Sequence, residues 1–358
     1  MYKKLTINSF RGIKHLEVDD FRQVNLIVGT NNCGKTALLE CLFLLTGPTN
    51  PQLPLKINTL RDFSIVDENS WRVFFNRLDI NLDIKLSGEL DNPREVRNLV
   101  IKPNIKSATL SETATDKKSI EVGDSYTGLA PVINGLILDY SFVTGRAKNS
   151  KKSITTKVIA TGAGIEFEMS EEYEEALRGL FINAKTVSGD IGKRFNDIQI
   201  RKQTDRVVKV LRQIEPSLVD LSVGADGIVY CDIGLDRLLP LNVMGDAMFR
   251  LVSIVLAILD AQDGIVLIDE IENGLHHLSQ EILWDAVFES AKEFNVQIFA
   301  ATHSIECVKA FSSSYSRIVR NNDDIRLYRI ERKDDDYRVV GYDHNVLEAS
   351  LDSGWEVR

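Results

Sequence analysis

Apolar and polar residues alternate over residues 4–10, and a short apolar stretch follows at 16–18, which predicts two strands. Val24-Asn25-Leu26-Ile27-Val28 is apolar almost throughout, the pattern of a strand buried on both faces. Residues 29–35 are rich in Gly and Asn, and 36–45 form a strongly apolar helical segment stopped by Gly47-Pro48. The opening therefore reads strand, Gly-rich loop, helix. Residues 49–55 read as a Pro-rich connection, and 73–160 as short alternating segments such as 78–86 and 136–143. These predict antiparallel strands with polar turns, with a basic Ser/Thr-rich loop at 148–157.

From 171 to 214 the period becomes helical. Tyr173, Ala176, Leu177 and Leu180 share one face, and Phe195, Ile198, Val207, Val210, Leu211 and Ile214 support one or two further helices, ended by Pro216. Residues 218–232 predict a hairpin around Ala225-Asp226-Gly227. Beyond it lie a helix at 248–259, a buried strand at 264–268, a helix at 279–293 and a buried strand at 296–301. Two strands at 325–339 flank Lys333-Asp334-Asp335-Asp336. The class is α/β, with a mixed central sheet, an antiparallel β subdomain and a helical lobe. No internal repeat is evident.

A chain of 358 residues allows one large domain or two ordinary ones. The net charge of −9 argues against an all-over basic coat for nucleic acid, although a local basic patch is compatible with it. No apolar run is long enough to span a bilayer. The N-terminus lacks the apolar stretch of a signal peptide, and Cys33, Cys41, Cys231 and Cys307 form no CxxC pair. A cytoplasmic protein with free thiols and no membrane segment is expected.

Gly29-Thr30-Asn31-Asn32-Cys33-Gly34-Lys35-Thr36 fits G-x-x-x-x-G-K-[ST] between a strand and a helix. Its glycines let successive backbone N–H groups face inward as an anion nest, and the following helix adds its positive end. Lys35 would place a charge on the β/γ-phosphates of ATP, and the Thr36 hydroxyl would ligate Mg²⁺. Gly29, Asn31, Asn32, Cys33 and Gly34 complete the phosphate-binding loop, with Cys33 at a free position of the pattern. Ile265-Val266-Leu267-Ile268-Asp269-Glu270 is an apolar strand ending in acids. Asp269 can hold Mg²⁺, and Glu270 can orient or deprotonate the attacking water. Ala300-Ala301-Thr302-His303-Ser304 ends the next buried strand and brings His303 to the same edge, within reach of a γ-phosphate.

In this order the motifs resemble ABC-class P-loop ATPases, and more closely the SMC/RecF/OLD group. Ile7-Asn8-Ser9-Phe10-Arg11-Gly12 is similar to that group's opening strand, which implies that Arg11 lies near the nucleotide. Asp269-Glu270-Ile271-Glu272-Asn273-Gly274-Leu275-His276 resembles the Walker B segment and following loop of the OLD-type branch, and Thr302-His303-Ser304 its switch histidine. The resemblance implies an ABC-type ATPase head that closes as a homodimer around two ATP molecules. The signature segment that would cap the partner's ATP is Asn242-Val243-Met244-Gly245-Asp246-Ala247-Met248-Phe249-Arg250. Gly245 would permit close backbone approach there and Arg250 would add charge in trans, while Ala247 stands where many relatives have Gly. Residues 1–165 form the expected N-terminal ATPase lobe, 166–235 a helical insertion with the hairpin, and 236–358 the C-terminal lobe.

Other features are weaker. His276-His277 beside Glu272 match no standard zinc spacing and fit an interface or helix-entry role better. Lys193, Arg194, Arg201, Lys202, Arg206, Lys209 and Arg212 could meet phosphates, or belong to a solvated or partner-facing helix. Asp334-Asp335-Asp336 reads as a hairpin tip. No sustained heptads interrupt the head, and the 55 residues after His303 are too few for a TOPRIM nuclease domain of the OLD type. Two functions follow: an ATPase controlling a separate effector, in phage defence or DNA maintenance, or a RecF-like clamp that ATP locks onto DNA.

Overall fold

The computed structural model describes residues 1–63, 66–91, 94–106, 132–145, 151–184, 186, 191–212, 215–318, 323–334 and 336–358. The chain opens with β1 (Tyr2–Phe10), β2 (Ile13–Val18), β3 (Val24–Val28) and α1 (Lys35–Thr46). Helices α2 (Gln52–Leu60) and α3 (Glu68–Arg72) lead to β4 (Ile84–Leu90), β5 (Glu95–Lys106), β6 (Val132–Thr144), β7 (Lys151–Thr161) and β8 (Gly164–Met169). These strands form an antiparallel seven-stranded sheet of order β2-β1-β4-β5-β6-β7-β8.

Next come β9 (Gly179–Ile182), α4 (Ile191–Ile200), α5 (Thr204–Leu211) and a small sheet of β10 (Asp220–Val223), β11 (Val229–Asp232) and β12 (Leu239–Pro240). The remainder is α6 (Asp246–Asp260), β13 (Ile265–Ile268), α7 (His277–Glu293), β14 (Gln297–Ala301), α8 (Ile305–Ile318), β15 (Ile325–Lys333), β16 (Asp336–Tyr342) and α9 (His344–Asp352). The second sheet has the order β16-β15-β3-β14-β13-β9. Its strands are parallel except β16, which returns antiparallel to β15.

Two cores sit on opposite faces of this second sheet. Val24, Leu26 and Val28 pack with Val266, Ile268, Ile298 and Ala300 against the α6–α7–α8 side. Ile27, Ile265, Leu267, Phe299 and Ala301 face α1 and the antiparallel sheet. Burial of both faces accounts for the continuous apolar runs of β3, β13 and β14. Helix α1 is enclosed between the two sheets, so residues 37–46 are all buried and it needs no polar stripe.

The α/β class holds, with several local corrections. The helical face expected from Tyr173, Ala176, Leu177 and Leu180 does not form. Gly179–Ile182 instead pairs in parallel with β13 as the sheet's edge strand, where backbone pairing outweighs a short coincidence of period. The Ser/Thr-rich loop at 148–157 becomes β7 from Lys151 onward, paired with β6; residues 148–150 lie outside the described residues. The strand expected over 78–86 starts only at Ile84, after a 3₁₀ turn at Asn76–Leu78. Part of the Pro-rich connection enters α2, whose Leu53 and Ile57 pack against the α1 core. The predicted helices around Phe195 and Val207 are α4 and α5, although Ile214 lies outside the described residues. Among the described residues no helix is long and apolar enough to cross a membrane, and the four cysteines are buried and unpaired.

Candidate functional site

Strands β3, β14 and β13 run parallel and side by side, so their carboxyl ends meet at one sheet edge, where α/β folds hold ligands. The loop after β3 carries residues 29–36 into α1. Gly29 sits at φ 146°, and a Cβ there would come within 2.5 Å of the Ile330 carbonyl oxygen and 2.6 Å of Cys33 Sγ. Only glycine fits that approach. Cys33 is itself buried, 3.9 Å from Lys35 Nζ, and burial raises its thiol pKa. Lys35 Nζ donates to the Gly29 and Thr30 carbonyls at 2.8 and 3.0 Å, which holds the amine over the loop.

The Thr36 hydroxyl donates to Asp269 Oδ2 at 2.8 Å, across 233 positions of sequence. Burial raises the Asp269 pKa, and the Thr36 hydrogen bond opposes that shift. A hydroxyl and a carboxylate oxygen side by side on the floor of a cleft are a hard-oxygen pair suited to Mg²⁺, whose charge would favour the ionised Asp269. The cleft measures about 360 Å³ and is lined by Asn31, Asn32, Lys35, Thr36, Asp269, Glu270, Ala301, Thr302 and His303. The sequence-predicted loop, acidic pair and histidine therefore share one space.

Glu270 is exposed, and its backbone is left-handed at φ 49°. Such strain costs on the order of 1–3 kcal/mol and needs support from its surroundings. Arg250 supplies it: Nη2 donates to the Glu270 carbonyl at 3.1 Å and Nη1 to the Asn183 carbonyl at 3.4 Å. This corrects the expectation that Arg250 projects toward a partner. It is 4% exposed, because the inner face of α6 packs beside β13, and burial lowers its pKa to about 10. Gly245, by contrast, is an exposed N-cap at φ 94°, and a Cβ there would meet nothing within 4 Å.

Glu272 is the residue whose role the sequence does not reveal. Instead of joining His276 and His277, it turns inward beneath His303. Its Oε1 lies 3.2 Å from His303 Nδ1 and accepts the His303 backbone N–H at 3.2 Å. The signal available was the Asp-Glu-x-Glu spacing, which carries a third acid past the strand end. The His276 and His277 rings lie against each other, tilted by 43° with centroids 4.1 Å apart, and no metal-binding cluster occurs among the described residues. Of the basic helical residues, Arg194 faces Asp260, Arg206 pairs with Glu293 at 3.4 Å, and Arg212 caps the Leu218 and Val219 carbonyls. Lys193, Arg201, Lys202 and Lys209 are exposed.

Arg11 lies at φ 50° and is nearly buried. Its Nε is 2.7 Å from Glu40 of α1, and Arg61 grips the same carboxylate at 2.6 Å. Both guanidiniums line a second cleft of about 270 Å³ with Asn32, Lys35, Thr36 and the β15–β16 residues Arg332 and Tyr337. Asn32, Lys35 and Thr36 belong to both clefts, so the two adjoin at the Gly-rich loop.

Comparison with known proteins agrees with this geometry. Residues 1–160 match the profile described as an AAA ATPase domain. Residues 166–308 match the one described as AAA domain, putative AbiEii toxin, Type IV TA system. An ATP/GTP phosphatase of Helicobacter pylori is 23% identical over 349 residues, covering 90% of each chain. An uncharacterized protein of Methanocaldococcus jannaschii is 30% identical over 125 residues, 33% of this chain and 54% of that protein. Among solved structures, an SMC head bound to the C-winged helix domain of ScpA superposes with a TM-score of 0.50 at 11% identity, covering 98% of this chain and 99% of that one. A second, the Smc head with an extended coiled coil bound to the C-terminal domain of ScpA, derived from Pyrococcus furiosus, gives 0.50 at 10% identity and covers 98% of both. Two adjoining stretches of the chain are thus similar to AAA ATPase domains, on a fold like that of the SMC head. It is an ATPase.

Proposed function

We propose that this ATPase is an OLD-type head that binds ATP with Mg²⁺ and closes as a homodimer around two nucleotides, its cycle controlling a separate effector. The observation that carries the reading is the 2.8 Å contact between Thr36 and Asp269, with Glu270 and His303 on the same cleft. Thr36 and Asp269 would hold Mg²⁺, which supplies charge neutralisation at the phosphates. Lys35 binds the β/γ-phosphates, Glu270 accepts the proton of the attacking water, and His303, steadied by Glu272, contacts the γ-phosphate. The relative named ATP/GTP phosphatase supports a phosphohydrolase along nearly the whole chain.

Closure would place the exposed Gly245 segment of one subunit against the other's ATP. Leu235, Leu238 and Val243, 59%, 46% and 64% exposed just ahead of α6, support a face that a second copy covers. The three lobes at 1–165, 166–235 and 236–358 belong to the same proposal, as does a cytoplasmic role in phage defence or DNA maintenance. A DNA clamp is the second reading: Arg194, Arg206 and Arg212 contact groups of the chain itself, while Lys193, Arg201, Lys202 and Lys209 are exposed and open to phosphates.

Small-angle scattering tests closure. Glu270→Gln with ATP and Mg²⁺ should compact into a closed dimer, and Gly245→Asp in that background should not, since a carboxylate would face phosphate. Equal compaction in both would exclude the Gly245 segment from the interface. Turnover that DNA stimulates, with steep salt dependence, would favour the clamp.

A further inference from the structure

Strand β15 pairs in parallel with β3 from Ile325–Val24 to Arg329–Val28, then runs on past the Gly-rich loop before β16 turns it back. The hairpin tip therefore stands beside the β1–β2 turn, over the nucleotide loop. Tyr337 is seated across both. Its hydroxyl donates to the Gly12 carbonyl at 2.8 Å, and its Cε1 lies 3.2 Å from where a Cβ on Gly34 would be. Arg332 lies over the ring at 5.6 Å. Ring and guanidinium line the 270 Å³ cleft together with Arg11, Arg61 and the apolar Ile13 and Ala37.

The direction of a bound triphosphate follows from the two clefts. Asp269, Glu270 and His303 line one, at the end where the phosphate is attacked, and are not among the residues lining the other. Phosphates passing over Lys35 and Thr36 leave the nucleoside in the cleft that Tyr337 walls. A partly exposed aromatic ring backed by a guanidinium suits the face of a purine, which stacks on aromatic and Arg planes. We infer that Tyr337 and Arg332, on the β15–β16 tip, form the nucleoside-binding wall of this site. The inference rests on the nucleotide reading above and deepens it.

The test compares equilibrium binding of ATP and of inorganic tripolyphosphate, both with Mg²⁺, because only ATP carries a base. Tyr337→Ala should weaken ATP by about tenfold or more, the order of base–aromatic stacking, and leave tripolyphosphate unchanged. Tyr337→Phe keeps the ring, loses the Gly12 hydrogen bond, and should bind ATP within about twofold of the parent. Lys35→Ala should lose both ligands. Tyr337→Ala binding ATP like the parent would overturn the inference. So would equal losses of ATP and tripolyphosphate, or a Tyr337→Phe loss as large as that of Tyr337→Ala, since each makes the ring a prop for the loop. If the parent binds neither ligand, the nucleotide reading fails first and takes the wall with it.

Discussion

Two ionic clusters adjoin helix α1, one at its middle and one beyond its C-terminal end, and they differ in their charge count. At its middle, one buried carboxylate, Glu40, is shared by Arg11 and Arg61. Beyond its C-terminal end, one guanidinium, Arg97, is held by two carboxylates, Glu95 at 2.6 Å and Glu175 at 3.0 Å. Arg97 Nη1 and the Tyr2 hydroxyl also donate to the Leu45 carbonyl, at 3.0 and 2.8 Å. Burial alone would lower the Arg97 pKa, but the surrounding tyrosines and carboxylates outweigh it and raise the value. At Arg11 burial wins, and the second guanidinium helps lower its pKa. The first cluster keeps a spare positive charge facing a cleft beside the Gly-rich loop. The second is closed and fastens the antiparallel sheet to the end of α1. A buried ion cluster with surplus cation at a cleft is poised for an anion, whereas one with surplus anion around a single cation is a clasp.

The largest expected effect is on the clasp. Arg97→Ala leaves two buried carboxylates unpaired and should cost about 3–5 kcal/mol in chemical denaturation, with ATP affinity of the folded protein unchanged. Replacing Glu95, Arg97 and Glu175 together by apolar residues of similar volume should recover most of that loss. A single variant as stable as the parent would show that Arg97 is not a clasp. Arg11→Ala should act the other way round. Glu40 keeps Arg61, so stability should fall by only about 1–3 kcal/mol, while ATP binding weakens about tenfold or more through loss of a charged donor. If calorimetry finds ATP affinity intact in Arg11→Ala, the surplus-cation account is broken. The smallest expected effect is Glu272→Gln. Loosening His303 should lower kcat by about tenfold and leave KM and thermal stability near those of the parent. A rise in KM at constant kcat would place Glu272 in binding instead of positioning.

The motif-bearing edge was legible in the sequence because its residues are local signals at strand ends. Gly29 to Thr36 follows an apolar strand, and Asp269-Glu270 and His303 each end one, so parallel pairing was enough to bring them together. What stayed hidden depends on partners far along the chain. Arg250 reads as an outward charge until α6 is packed beside β13, and Glu272 reads as a companion of His276 until the loop turns it beneath His303. Gly179 to Ile182 shows a helical coincidence, but a sheet edge was waiting for it. The ion clusters pair Glu40 with Arg61 and Arg97 with Glu175, contacts that no periodicity encodes. Tyr337 reaches Gly12 across 325 positions.

The most direct test of the account is single-turnover and steady-state hydrolysis by Glu270→Gln at saturating ATP and Mg²⁺. The substitution keeps the shape of the side chain and removes the proton acceptor. ATP should bind as in the parent while kcat falls about 10²–10³-fold, the usual cost of removing one group placed for the transition state. Turnover equal to the parent's would contradict the assignment of the Thr36–Asp269–Glu270 cleft as the place where ATP is hydrolysed.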